Sequence, residues 1–154
     1  MTGPGAARHP ETQVVEGNPA EPMFATVVAD LLRRGARVRF RAPGSSMAPT
    51  INDGDTITVE PVSAERLRRG DVVLVRRSTA IIAHRLVGRR HRPDGGIDFL
   101  LRGDAADGDD APVPAIDVLG RVVGVERAGR RSRPSSWAAR LTALARWGAR
   151  RLRR

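Results

Sequence analysis

The chain contains no cysteine, and reading along its 154 residues finds no lysine, so all 27 basic residues are arginine. Without cysteine there is neither a disulfide staple nor a thiolate nucleophile, and the compartment stays open on that ground. Without lysine no serine–lysine pair can form, so any serine nucleophile must take a histidine as its base. Aromatic residues make up only 3% against 40% apolar residues in all, which leaves Val, Leu, Ile and Ala to build the core. Their β-branched members favour strands, and an all-β or α+β domain follows. Long apolar runs are also missing. The richest N-terminal stretch, Met23 to Leu32, is half of the ~20 residues a bilayer span needs and contains Asp30. Residues Met1 to Glu21 are rich in Pro, Gly, Ala and Glu and have no basic segment leading into an apolar one. They read as a disordered segment rather than a secretory signal.

What is present is arginine, unevenly placed. Residues 1–120 carry 16 Arg against 16 Asp and Glu, whereas residues 121–154 carry 11 Arg against Glu126 alone, which accounts for the whole net charge of +10. The body is balanced, and a partner drawn by charge would meet the C-terminal end. A chain of this length holds one domain of about 100–120 residues and two tails.

Pro22 suits the first turn of a helix, and Met23, Phe24, Val27, Val28, Leu31 and Leu32 recur on one predicted apolar face. Arg33 and Arg34 complement its negative end and Gly35 suits its C-terminal cap, giving a helix over 22–34 that covers a sheet edge or docks on a membrane. From 37 to 127 the pattern changes to strands. Val38, Phe40 and Ala42 alternate with arginines, Thr56 to Glu60 alternates again after the turn Asn52 to Asp55, and Val72 to Val75 has the length of a buried strand. A single helical turn is expected near Ser63 to Leu67. Ala80 to Val87 and Ile97 to Leu101 suggest a hairpin, and Val118 to Val125 a last strand bent or bulged at its glycines. Six or so short strands with turns between them predict a mainly β, coiled antiparallel domain.

Chemistry concentrates at three places along this β region. Ser46 sits at a strand end in Gly44-Ser45-Ser46-Met47-Ala48-Pro49-Thr50. His84 lies within a strand in Ala83-His84-Arg85, and acids crowd from Gly103-Asp104 to Asp109-Asp110. A serine hydroxyl needs a neighbouring base, and the base works best when a third group orients its ring, so the order reads as nucleophile, base and acid. The acidic segment lacks the closing Glu of a calcium loop, and no metal site is expected.

These motifs resemble the type I signal peptidase and LexA-type superfamily of serine peptidases over about Val38 to Arg127. Gly44-x-Ser46-Met47-x-Pro49-Thr50 resembles the nucleophile motif, and Gly54-Asp55 and Gly70-Asp71-Val72-Val73 resemble its Gly-Asp turns. Gly103-Asp104 resembles the Gly-Asp box, and Gly120-Arg121-Val122 the closing strand. Bacterial and LexA-like members use a lysine base, whereas the endoplasmic-reticulum and archaeal type uses histidine, and His84-Arg85-Leu86-Val87 is similar to the latter. The resemblance implies a serine endopeptidase hydrolysing an extended protein or peptide with small side chains near the scissile bond, without a cofactor. It implies Ser46 as nucleophile, His84 as base, Asp110 as the closest match for the orienting acid and Asp104 as a second important acid, with Asp109 beside them. The family's membrane-spanning helix before the nucleophile has no counterpart in this sequence, and Gly44 stands where many signal peptidases carry an oxyanion-binding serine. The Ser46 N–H and the Ser45 hydroxyl are then the oxyanion donors to expect.

After a basic linker over 128–136, residues 137–154 predict an amphipathic arginine-rich helix. Trp137, Leu141 and Leu144 share its apolar face, and with Trp147 they suit the headgroup region of an anionic membrane. The body has no recognised nucleic-acid motif, so a membrane is preferred to nucleic acid as the tail's partner. The expected setting is cytoplasmic, peripheral on the membrane, with oligomeric state open. The alternative from another class is a catalytically inactive β-domain binding module, tethered to membrane or nucleic acid by the tail.

Overall fold

The computed structural model describes residues 10–134. Along these the chain forms β1 (Thr12–Val14), α1 (Pro22–Arg33), β2 (Arg37–Arg41), β3 (Thr56–Glu60), β4 (Val72–Arg77), β5 (Ala80–His91), β6 (Ile97–Arg102), β7 (Val113–Pro114), β8 (Val118–Arg127) and β9 (Arg130–Ser132). Short 3-10 turns lie at Ala64–Arg66 and Ala115–Asp117. The strands make one open sheet in the order β1-β2-β3-β8-β4-β5-β6-β7, with β9 added to β8. All pairs are antiparallel except β1 with β2. The fold is mainly β, as composition and alternation predict.

Period-two alternation divides the core between the two sheet faces. Val72 and Leu74 of β4 join α1, β2, β3 and β8 in one cluster. Val73 and Val75 join Leu67, Leu86, Phe99, Leu101 and Val113 in the other. This explains the unbroken apolar run in β4: the strand is covered on both faces. Strand β8 holds the sheet together, pairing with β3 and β4 through two register shifts. Gly120 lies at this crossing because a Cβ there would come within 2.5 Å of the Glu60 carbonyl oxygen.

Three expectations need correction. The segment 1–21 is not disordered throughout, since Thr12–Val14 pairs in parallel with Arg37–Arg39. A three-residue strand with Val14 70% exposed carries almost no apolar signal, and its order comes from main-chain bonds to the edge of β2. Within the expected linker 128–136, β9 turns back on β8. The buried face of α1 is Phe24, Ala25, Val28, Ala29 and Leu32, whereas Met23 is 73% exposed. The large residues suggested a face rotated from the true one; the two alanines let the helix lie close on the sheet. The expected helix 137–154, with Trp137, Leu141, Leu144 and Trp147, lies outside the described residues.

Candidate active site

Ser46 lies in the loop between β2 and β3, and local bonds set its shape. Gly54 N–H donates to Ala42 O and Ala42 N–H to Asp55 O, both at 2.8 Å, while Gly44 N–H donates to Asp53 Oδ1 at 2.7 Å. Gly44 has φ +86°, in the left-handed region that glycine enters without a Cβ penalty. Met47 and Ile51 plug the loop into the core at 4% and 3% exposure, which leaves Ser45 and Ser46 facing outward. At the base of the loop, Asp55 meets Arg127 of β8 at 2.6 Å. The guanidinium's hydrogen bond holds the Asp55 carboxyl below the usual carboxylate range, against the opposing effect of burial and with help from the Asn52 N–H.

His84 is fixed by strand register, opposite Val73 in the β4–β5 ladder. Its Nε2 accepts from the Ser46 hydroxyl at 3.1 Å, and in that tautomer its Nδ1–H donates to Asp110 Oδ2. Asp110 itself belongs to the irregular connection between β6 and β7, where its N–H donates to Leu101 O at 2.8 Å. The same connection grips the serine loop from behind, for Ala105 N–H donates to Ser46 O at 2.9 Å. Gly103 makes this approach possible. A Cβ on it would stand 2.6 Å from Ser46 O and 3.3 Å from His84 Nε2.

The three candidate carboxylates thus have different partners. Asp110 meets the imidazole, Asp109 pairs with Arg102 at 2.6 Å, and Asp104 turns to Arg85. The Arg85–Asp104 pair is bidentate, with both bonds 2.7 Å, and Thr50 donates to Asp104 Oδ2 at 2.6 Å. Arg85 is only 4% exposed and also donates to the carbonyls of Gly70 and Pro134. It therefore ties the serine loop, the Gly-Asp turn, the acidic segment and the chain beyond β9 into one buried node. Thr50 and Arg85 stand within the serine and histidine motifs, but the motifs assign them no role. The available signal was an arginine one residue from the histidine, in a strand whose other members are largely apolar.

Among the described residues no acceptor takes the Ser46 N–H, and Ser45 is exposed beside it. Two concavities, of about 380 Å³ beside Leu32, Pro61 and Ile116 and about 740 Å³ beside Arg121 and Arg133, contain none of Ser46, His84 and Asp110. The site is recognised by the geometry of its side chains, with Ser46 exposed. Chemically, the arrangement can relay a proton from a hydroxyl through an imidazole whose far nitrogen is held by a carboxylate. No helix among the described residues is long and apolar enough to cross a membrane. No curated protein matches the chain. The family model described as Peptidase S24-like matches residues 5–123, most of the sequence and all of the fold that carries these three side chains up to β8, and the chain belongs to that family, within the LexA and signal peptidase superfamily.

Proposed function

We propose that the protein is a serine endopeptidase working through Ser46, His84 and Asp110. Ser46 attacks the scissile carbonyl, His84 takes the hydroxyl proton and returns it to the leaving amine, and Asp110 keeps the imidazole in the tautomer that leaves Nε2 facing Ser46. The observation that carries this reading is the unbroken relay from Ser46 Oγ through both ring nitrogens of His84 to Asp110 Oδ2. Histidine serves where LexA-like relatives use lysine, because the chain has no lysine. The Ser46 N–H, with the Ser45 hydroxyl beside it, is the donor proposed for the oxyanion. Asp104 acts through Arg85 and Thr50 to hold the two loops together rather than on the imidazole.

The substrate proposed is an extended protein segment with small side chains at the scissile bond, and no cofactor enters the reaction. Residues 137–154 are proposed to bring the domain to an anionic membrane surface from the cytoplasmic side through Trp137, Leu141, Leu144 and Trp147. Labelling by a fluorophosphonate, followed by mass spectrometry, tests the chemistry without a known substrate. Wild type should be modified at Ser46, Ser46→Ala should not react, and His84→Ala should slow labelling by about 10³-fold or more. A His84→Ala rate equal to wild type rejects the enzyme and favours a β-domain binding module.

A further inference from the structure

We propose that Arg77 is a positioning residue for this site: from the end of β4 it holds the Asp110–Ala111 segment so that the Asp110 carboxylate faces His84. The inference rests on the peptidase reading for its consequence, and on geometry for its substance. Asp110 lies between β6 and β7 in chain with no regular secondary structure, so its placement depends on individual bonds. On its N-terminal side the bond is Asp110 N–H to Leu101 O at 2.8 Å. On its C-terminal side Arg77 Nη2 donates to Ala111 O, also at 2.8 Å. The same nitrogen lies 3.9 Å from Asp110 Oδ2, the oxygen that accepts from His84.

Strand alternation explains why this arginine and not its neighbour does so. Val73, Val75 and Arg77 share one face of β4, and Val73 is the cross-strand partner of His84. Arg76 projects to the other face, where its Nη2 donates to Thr26 Oγ1 of α1 at 3.2 Å. At 34% exposure the Arg77 guanidinium adds little as an ion pair. Its effect is to fix position, and a shift of about 1 Å in a reacting group costs on the order of 10²-fold in rate.

The test compares Arg77→Ala with Arg76→Ala in the full chain, since both remove one charge from β4 and only the first faces Asp110. Two readouts are taken: the rate of Ser46 labelling by a fluorophosphonate, and the far-downfield proton resonance of the His84 Nδ1–H, assigned by its loss in Asp110→Asn. Arg77→Ala should slow labelling about 10- to 100-fold and shift or broaden the downfield resonance. Arg76→Ala should leave both unchanged, and Arg77→Lys should recover part of the loss. If Arg77→Ala matches Arg76→Ala in rate and in resonance, the positioning role is overturned. If wild type is not labelled while the downfield resonance still depends on Arg77, the peptidase reading fails and the positioning role stands.

Discussion

Gly103 has no room for a methyl group, and the reason is chemical rather than conformational. A Cβ there would press on the Ser46 carbonyl at 2.6 Å and crowd His84 Nε2 at 3.3 Å, so the residue that permits the contact between Ser46 and His84 carries no functional group. Gly103→Ala should therefore destabilise the fold by about 1–3 kcal/mol and slow Ser46 labelling by about 10²-fold. Thermal unfolding and labelling of the same preparation check both. A folded variant with wild-type labelling would show that the loops can separate at no cost to the site. Arg85 presents the converse case, a charge brought inside. Its guanidinium is buried with every nitrogen engaged, and removing either partner of such a pair strands a charge at about 3–5 kcal/mol. That need accounts for the position of Asp104, whose oxygens are spent on Arg85 and Thr50 and not on the imidazole.

Between elements, the serine loop is fastened by the buried Met47 and Ile51 and also by the Asp55–Arg127 pair, which links the residue before β3 to the end of β8. Because Arg127 lowers the folded-state value of Asp55, the pair's contribution is complete above the unfolded carboxylate value and is lost as pH falls through the lower folded value. Asp55→Asn should melt below wild type at neutral pH, and the gap between the two melting temperatures should narrow as the pH is brought down through the acid range. A gap that stays constant with pH would remove the charge pair from the account. The helix shows how far element-level patterns can be trusted. Its existence and ends follow from Pro22, the apolar spacing and Gly35, but its buried face depends on Ala25 and Ala29, which apolar patterning weights lightly and close packing requires.

For the molecule as a whole, the separation of charge matters most. A balanced body carries the exposed Ser46, and the arginine excess begins only after residue 120. At about 1 kcal/mol per arginine close to an anionic surface, the six arginines between 135 and 154 would dominate the proposed attraction to a membrane. The proposed tail contact predicts salt-sensitive co-sedimentation with phosphatidylserine vesicles. A chain ending at Pro134 should bind them at least about 10²-fold more weakly, and undiminished binding would remove the tail from that role. Ending the chain at Pro134 turns the carbonyl that accepts from Arg85 into a terminal carboxylate, so the labelling rate of this shortened chain also reports how the node responds to the added charge.

Sequence by itself determined the class of fold, the existence of α1 and most strands, and the chemistry open to the chain. Alternation identifies half-buried strands because side chains at period two face one core, and the absence of lysine rules out a serine–lysine pair. Only the tertiary structure decided which of three nearby carboxylates meets the imidazole. Asp104, Asp109 and Asp110 lie in irregular chain with no periodicity to say where each points, and their partners come from β6, which leads into that segment, and from β5 paired beside it, which bring the arginines and the histidine alongside. The short edge strands β1, β7 and β9 were illegible for a related reason. Apart from the buried Val113 of β7 they bury little of their own and are ordered by the edges they pair with, and an edge exists only once the sheet has formed.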